Sequence, residues 1–536
     1  MSKNKYNNFY EMIRENAKNF PKKPILFIEK RKISNLRLKQ KVDTFSRFLE
    51  FSGIKNGDKV ALIVENSEEF VISFFAISKI GAVVVPINTF LKKDEYEYIL
   101  NDCEAKLLVS SPKFAKETAT LLDSTKIEKI VWSGKYDKLD EKNYSFVEIA
   151  QSLETHEQLS TPPTLEDTAC IVYTSGTTGK PKGAMLSYKN IFSNLRAINK
   201  IIRLTYKDRF VVYLPMFHSF TLTTTVLLPF YTASSIVIVK SVFPFSNVLK
   251  QVLLKKVTIF LGIPTVYNAL IKAKIPWYFM WFNKIRVFVS GGAALNEKVL
   301  QDFKVKFPKA KLLEGYGLSE CSPVVAVNRL ELQKPLSVGP ALPGYEVKAV
   351  DEEMVEVPKG EVGELIVKGD CVMQGYFKRE DATKESIVNG WLKTGDLVSI
   401  DKDGYIFIKD RKKDLIISKG INIYPREIEE LLYQLEEVDA AAVIGKKDEH
   451  TSDEVPVAFI VLKDEFKNAL DENSIKKYLK NHLANFKIPR NVYFVDELPK
   501  NATGKVLKRV LKDMVKQGAI STQPKETPIN STKRTV

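Results

Sequence analysis

The chain reads as an α/β protein of two domains. A large N-terminal domain of layered sheets and helices carries a β-rich subdomain, and a small α+β domain follows it. Three observations predict this. Through the first 400 or so residues, strand-like apolar runs alternate with segments of helical spacing, the pattern of largely parallel sheets covered by helices. Around Gly344 to Val367 the strands shorten and are separated by turn pairs: Pro343-Gly344, Lys359-Gly360 and, further on, Asp403-Gly404. Beyond the charged break Arg411-Lys412-Lys413-Asp414 lies a single helix–strand–strand–helix set of roughly 100 residues, a usual domain size.

The elements follow in order. Lys59–Val64 is strand-like and Ser67–Ile80 has helical spacing; Gly81–Pro86 is strand-like again, and Lys92–Asn101 resumes the helical period. Ala169–Tyr173 reads as a strand and Tyr188–Asn199 as a helix. A second alternating series runs from Phe210 to Val239 and from Val257 to Val289. In the small domain Pro425–Leu435 reads as a helix, with Pro425 in its first turn and Glu427, Glu429 and Glu430 behind it. Strands Ala440–Ile444 and Val455–Leu462 and a lysine-rich helix, Ser474–Leu483, complete it. Ser521–Val536 is polar, holds two prolines and shows no periodicity, so disorder is expected there. The expected divisions are 1–412, 413–520 and a tail, 521–536. No internal repeat appears.

At 536 residues the chain exceeds one ordinary core. Its 44% hydrophobic and 27% charged residues are those of a globular protein. Basic residues outnumber acidic ones by 81 to 65, a net charge of +16. That excess fits a lysine-rich surface, anionic small ligands or anionic lipid headgroups. Nucleic acid is set aside, because no zinc-finger spacing, basic-helix pattern or RNA-binding signature occurs. Cys103, Cys170, Cys321 and Cys371 are scattered without metal-ligand or redox spacing, and so are the four histidines. Reduced thiols and a cytoplasmic location are expected. The first residues, Met1 to Asn8, lack an apolar signal core, and no run reaches the roughly 18–20 apolar residues of a membrane span.

The most informative string is Tyr173-Thr-Ser-Gly-Thr-Thr-Gly-Lys-Pro-Lys-Gly-Ala-Met-Leu-Ser187. Amides freed by Gly176, Gly179 and Gly183, with the hydroxyls of Thr174, Ser175, Thr177 and Thr178, can wrap a polyphosphate. Lys180 and Lys182 supply countercharge, and Pro181 limits the loop's freedom. The string is not a Walker A loop, since Pro181 stands where that pattern needs its second glycine. It resembles the phosphate-binding signature of the adenylate-forming superfamily, which comprises acyl- and aryl-CoA synthetases, peptide-synthetase adenylation domains and luciferases.

Further motifs occur in that family's order across nearly the whole chain. Leu214-Pro-Met-Phe-His218 places His218 after a strand, where the resemblance implies a residue set against the acyl carboxylate. Phe288-Val-Ser-Gly-Gly-Ala-Ala-Leu295 ends a strand in two glycines, and Gly292 there lets a flat ligand approach the backbone. In Glu314-Gly-Tyr-Gly-Leu-Ser-Glu320, Tyr316 can stack on a purine that Gly315 and Gly317 admit. Ser319 can reach a phosphate oxygen, and Glu320 is the hard-oxygen ligand expected for Mg²⁺. The family usually carries Thr at Ser319, and the hydroxyl survives. The resemblance implies nucleotide contacts from Glu314, a Mg²⁺ site at Thr174 and Glu320, and a grip on ribose from Asp396 in Trp391-Leu-Lys-Thr-Gly-Asp396. It also implies a ribose or phosphate contact from Arg411 and an inter-domain hinge, also part of the nucleotide site, at Lys413. Lys419 and Gly420 would meet CoA, with Gly420 lining the pantetheine tunnel. Lys505, in Leu498-Pro-Lys-Asn-Ala-Thr-Gly-Lys505, would bridge the acyl carboxylate and the α-phosphate and stabilise charge as pyrophosphate leaves.

The implied reaction has two halves: carboxylate attack on MgATP gives acyl-AMP and pyrophosphate, then a thiolate gives the thioester and AMP. The small domain would be mobile, swinging about Lys413 to withdraw Lys505 and bring in Gly420. Phe217–Thr225, Phe260–Tyr267 and Ser322–Val327, expected to line the acyl pocket, are apolar with a few hydroxyls and no acid to pair an amino group. That argues against an amino acid and for an alkyl chain, and similarity to bacterial medium- and long-chain fatty acid–CoA ligases is the best overall fit. Aromatics flanked by bases in Lys272–Arg286 suit either a peripheral patch on the inner face of the cell membrane or a core segment between helices. An acyl-acyl-carrier-protein synthetase, an aryl-CoA ligase and a non-enzymatic lipid- or nucleotide-binding protein are the alternatives, and the oligomeric state, monomer or homodimer, stays open.

Overall fold

The structure, a computed structural model, describes residues 5–152, 162–174, 180–308, 310–418, 421–447, 454–467, 469–501 and 504–517. The tail 521–536 lies outside them. Two eight-stranded sheets dominate the large domain. One runs Gly375–Tyr376, Lys182–Ser187, Thr168–Thr174, Val83–Pro86, Lys59–Ile63, Ala105–Ser110, Lys129–Trp132 and Asn143–Ser145. The other runs Val324–Val327, Leu312–Gly317, Val287–Ser290, Ile259–Gly262, Arg209–Val212, Ser235–Ile238, Pro24–Ile28 and Arg31–Ser34. Both are parallel in the middle and antiparallel at an edge. The predicted alternation is therefore present, because a parallel neighbour needs a covering helix as its return path.

Helix boundaries follow their caps. Ser67 accepts from the Phe70 amide and starts Glu68–Lys79, and Ser187 forms a reciprocal capping box with Asn190 at the head of Tyr188–Ile202. Tyr188–Ile202 lies between the two sheets. Its inward residues Ile191, Leu195 and Ile198 share one core with Val172 and Leu186 of the first sheet and Ile259 and Leu261 of the second. The β-rich part is an antiparallel five-stranded sheet built on Glu346–Val350, Val362–Lys368 and Trp391–Ile400.

The small domain has its own cores. The helix Pro425–Gln434 and strands Val438–Lys447 and Glu454–Leu462 bury Ile428, Leu432, Val443 and Ile460 together. Strand Asn491–Phe494 pairs in parallel with the second of these, and the predicted lysine-rich helix is Glu472–Lys480. Between the domains lies a 3₁₀ turn, Lys412–Asp414. Among the described residues no helix is long and apolar enough to cross a membrane.

Candidate active site

Two paired strands frame the phosphate string. Thr168–Thr174 pairs antiparallel with Lys182–Ser187, with Thr174 opposite Lys182 at the closing rung. The sequence predicts only the first strand. The second forms because Gly183 fits where a Cβ would stand 2.6 Å from Ile171 Cγ2, so small residues bring the strands together rather than leaving a loop. Ser175, Gly176, Thr177, Thr178 and Gly179 lie outside the described residues. Lys182 lines the main cavity with its ammonium 5.4 Å from the Tyr376 ring centre. Lys180, just before the second strand, sits over Tyr98, whose hydroxyl donates to the Pro181 carbonyl at 3.1 Å.

Facing the paired strands is the end of strand Leu312–Gly317. Gly317 tolerates nothing larger, since a Cβ there would lie 2.0 Å from the Pro323 carbonyl oxygen. The short turn that follows, Ser319–Cys321, aims Glu320 back at the paired strands. Thr174 Oγ1 and the Tyr376 hydroxyl both donate to Glu320 Oε1, at 3.2 and 3.0 Å. Ser319 and Ser219 join hydroxyl to hydroxyl at 2.8 Å. Gly315, Tyr316, Ser319, Glu320 and Gly292, the last with φ +81°, all line the cavity. Glu314 does not: it is buried, its carboxylate accepts the Leu295 amide at 2.9 Å, and burial raises its pKa to about 7. In this geometry it ties a loop down rather than facing a ligand.

Asp396 is held within the β-rich sheet. It stands inside the long strand Trp391–Ile400, at a register shift against Val362–Lys368, and not after a free turn. The bulge is held by Thr394, which donates to the Leu365 carbonyl at 2.7 Å, and by Gly395, whose φ is +70°. Asp396 takes the Tyr316 hydroxyl on one oxygen and Arg411 Nε, at 3.0 Å, on the other. Burial first, and the Asp396 charge second, hold the Tyr316 phenol well above its usual pKa.

The small domain closes this end. Gly504, with φ +77°, packs so tightly on Ile263 and Thr265 that a Cβ would come within 2.9 Å of Ile263 Cδ1. The next residue, Lys505, lines the cavity, its backbone exchanged with Asn501 through two 2.9 Å hydrogen bonds. Loss of water around its ammonium, then the neighbouring Arg411, lower the Lys505 pKa to about 8. Lys413 also lines the cavity, and burial and Arg411 lower it too. Lys419 and Gly420 lie outside the described residues; Ile416–Ser418 and Ile421–Ile423 on either side pair antiparallel.

His218 caps the short turn Ser219–Thr221, and its Nδ1 accepts the Phe220 amide at 3.3 Å. Nε2 therefore carries the proton in the neutral ring. Burial lowers the imidazole to about 4, so it is neutral near pH 7. Beyond His218 and Phe220 the cavity, of about 1030 Å³, continues away from the charged groups. Its wall there is Ile198 and Ile202 of the helix, Leu204, Phe210, Ile259 and Leu261. Phe210 pairs with Ile259 near the start of the strand whose far end is Gly262, a span of about 10 Å. The cavity thus runs from the strand ends back to the strand starts.

Of the stretches expected to form the acyl wall, Phe217, Phe220, Thr224, Leu261, Val324 and Val327 do so. The helix face and Leu204 were not anticipated, although an amphipathic helix directly after the phosphate string was a usable signal. Tyr376 on Glu320 was also missed, and nothing in the sequence marks it. Glu364, which grips Lys412 at 3.1 Å and the Gly395 amide at 3.1 Å, was missed as well; a carboxylate inside an apolar strand was its only sign.

Comparison with known proteins places this geometry. Residues 13–377 match the family model "AMP-binding enzyme", and residues 427–505 match "AMP-binding enzyme C-terminal domain". The chain is 32% identical to a long-chain-fatty-acid–CoA ligase of Escherichia coli O6:H1 over 542 aligned residues, 95% of each chain. It is 33% identical to a feruloyl-CoA synthase of Amycolatopsis over 476, covering 88% of this chain and 91% of that one. Among solved structures, ATP-bound MatB from Rhodopseudomonas palustris superposes with a TM-score of 0.87 at 30% identity, over 95% of this chain and 99% of that one. The apo form of MatB, with the same identity and coverage, gives 0.77.

Proposed function

The chain belongs to the family of AMP-binding enzymes and is an AMP-forming acid–thiol ligase, and on that premise we propose that its acid is a medium- or long-chain fatty acid and its thiol CoA. The observation that carries the acid is the aliphatic end of the cavity. Ile198, Ile202, Leu204, Ile259 and Leu261 offer an acyl tail only dispersion and burial, at roughly 0.8 kcal/mol per buried methylene. An aryl acid needs less depth than this. The feruloyl-CoA synthase relative makes it the second reading.

In the first half-reaction an oxygen of the acid's carboxylate bonds to the α-phosphorus of ATP and the bond to the bridging oxygen breaks, releasing pyrophosphate. His218 Nε2–H donates to the carboxylate and holds it at the junction of the two cavity ends. Lys505 spans carboxylate and α-phosphate, and the phosphate string with Lys182 holds the β- and γ-phosphates. Tyr316 and the Gly315–Gly317 backbone take the adenine, with Asp396 and Arg411 on the ribose. Glu320 with Thr174 fits Mg²⁺, which favours one or two carboxylates plus substrate phosphates; bound there, it would neutralise phosphate charge. In the second half the CoA sulfur bonds to the acyl carbon and AMP leaves with the electron pair of the broken bond.

The small domain is proposed to begin at Lys413 and to swing there between the halves, exchanging Lys505 for Gly420. Lys505 in the cavity, and a higher TM-score with ATP-bound MatB than with its apo form, support reading the present seat as that of the first half. ATP–pyrophosphate exchange across straight-chain acids of increasing length and a set of aryl acids tests the acid. Highest kcat/KM on an aryl acid overturns the fatty-acid reading. A thioester assay offering CoA beside acyl-carrier protein tests the acceptor.

A further inference from the structure

Between Asp208 and Glu297 the chain contains nine basic residues and no acidic one. This stretch builds an outer helical layer on the second sheet, comprising Ser246–Leu254, Pro264–Lys272 and Trp277–Phe282. Its inward side chains share a core with Phe260 and Phe288 of the strands. The shortest of these helices is divided by the helical period. Phe279 is buried, while Trp277, Tyr278, Trp281 and Phe282, at positions one turn apart in pairs, are 71%, 46%, 80% and 63% exposed. Four large aromatic side chains thus share one outward face. The Lys272 ammonium is paired with Asp439 of the small domain, and the exposed Lys274 and Lys284 flank the aromatic helix along the chain.

We propose that this face docks the enzyme on the surface of an anionic lipid bilayer. A contiguous aromatic patch on a protein surface marks a place where something binds. Trp and Tyr suit the headgroup depth of a membrane, and lysines at the rim add roughly the same attraction each to a negatively charged leaflet. Charge decides against a second copy of the chain, since two such faces brought together would set basic rims against each other without an acid to answer them. The placement also has a consequence for the proposed substrate. The segment ends in Arg286, whose guanidinium holds Asp208 at 2.9 and 3.1 Å and donates to the Ile202 carbonyl at 3.2 Å. Ile202 and Leu204 line the aliphatic end of the cavity, so the segment that carries the aromatic face is bonded directly to the wall of that end.

Co-sedimentation of the full chain tests this, with vesicles of pure phosphatidylcholine and vesicles containing phosphatidylglycerol. The chain is expected to sediment with the anionic vesicles, to be released by high salt, and to stay in solution with the neutral ones. Trp277→Ser with Trp281→Ser, and separately Lys274→Glu with Lys284→Glu, are expected to weaken binding at least tenfold while adenylation of a short soluble acid is unchanged. Wild-type protein that ignores anionic vesicles, or either variant binding them as well as wild type, overturns the proposal. So does a wild-type dimer in solution that the tryptophan variant splits, since the face then serves self-association. Binding is read without turnover, so failure here leaves the fatty-acid assignment standing.

Discussion

At the polar end of the cavity the side chains come in bonded sets drawn from distant parts of the chain: Thr174 and Tyr376 on Glu320, Tyr316 and Arg411 on Asp396, Lys412 on Glu364. At the other end Ile202, Leu204, Phe210 and Ile259 meet whatever lies between them through packing alone. The difference is one of tolerance. Hydrogen-bonded and charged sets are directional, and removing one member leaves its buried partner unsatisfied. An aliphatic wall is graded, and its cost scales with volume. Under the proposed function, one end is therefore suited to a single chemistry on an invariant nucleotide, the other to a range of tail lengths.

The largest expected effect breaks the polar end. Lys505→Ala should cut ATP–pyrophosphate exchange by about 10²- to 10³-fold, the cost of losing one preorganised charge at the reacting phosphate. Thioester formation from supplied acyl-AMP should persist, and equal loss of both halves would contradict a lysine that serves only the first. Asp396→Asn comes next. It removes the charge between Tyr316 and Arg411, and kcat/KM for ATP should fall about ten- to a hundredfold, in line with a lost charged hydrogen bond. The same variant should leave the relative preference among acids unchanged; an altered preference would mean that the two ends are coupled.

A smaller and selective effect is expected at the aliphatic end. Leu204→Trp should lower kcat/KM by about tenfold for the longest acid accepted while sparing a short one. Uniform loss across chain lengths would show that Leu204 does not bound the tail. The mildest change is in pH. The folded-state pKa of Lys505, about 8, lies below the usual lysine value, so its charge is complete at lower pH and is lost as pH rises through 8. Exchange measured as kcat/KM should therefore fall above that point, approaching about tenfold per pH unit. Lys505→Arg should move this limb to higher pH. His218, lowered to about 4, should contribute no limb near its ordinary value.

Much of this site was legible in order along the chain. Gly315, Gly317 and Gly292 stood out only together with the motifs around them, and Lys505 through the resemblance of Leu498–Lys505 to the adenylate-forming family's C-terminal motif. The strand after Thr174 was not legible, since Lys182–Ser187 has no apolar alternation and becomes a strand only by pairing with Thr168–Thr174. Asp396 was readable as a candidate but not as a residue on a bulged strand, because the bulge depends on Leu365 and Glu364 opposite. Glu314 looked like its neighbours in the glycine-rich string and differs only in where its carboxylate points. The aromatic run 277–282 fitted a core segment and a surface patch equally well, and the exposure of Trp277, Tyr278, Trp281 and Phe282 beside a buried Phe279 separates them.

What the residues settled alone is local: helix periods, capping serines, glycine placements and the order of the motifs, all properties of neighbours along the chain. Which carboxylate meets which hydroxyl, how far Lys505 loses its water, and how deep the aliphatic wall runs depend on surfaces brought together from hundreds of residues apart. Those quantities have no local signature, because desolvation and pairing are set by what packs opposite a side chain and not by what precedes it.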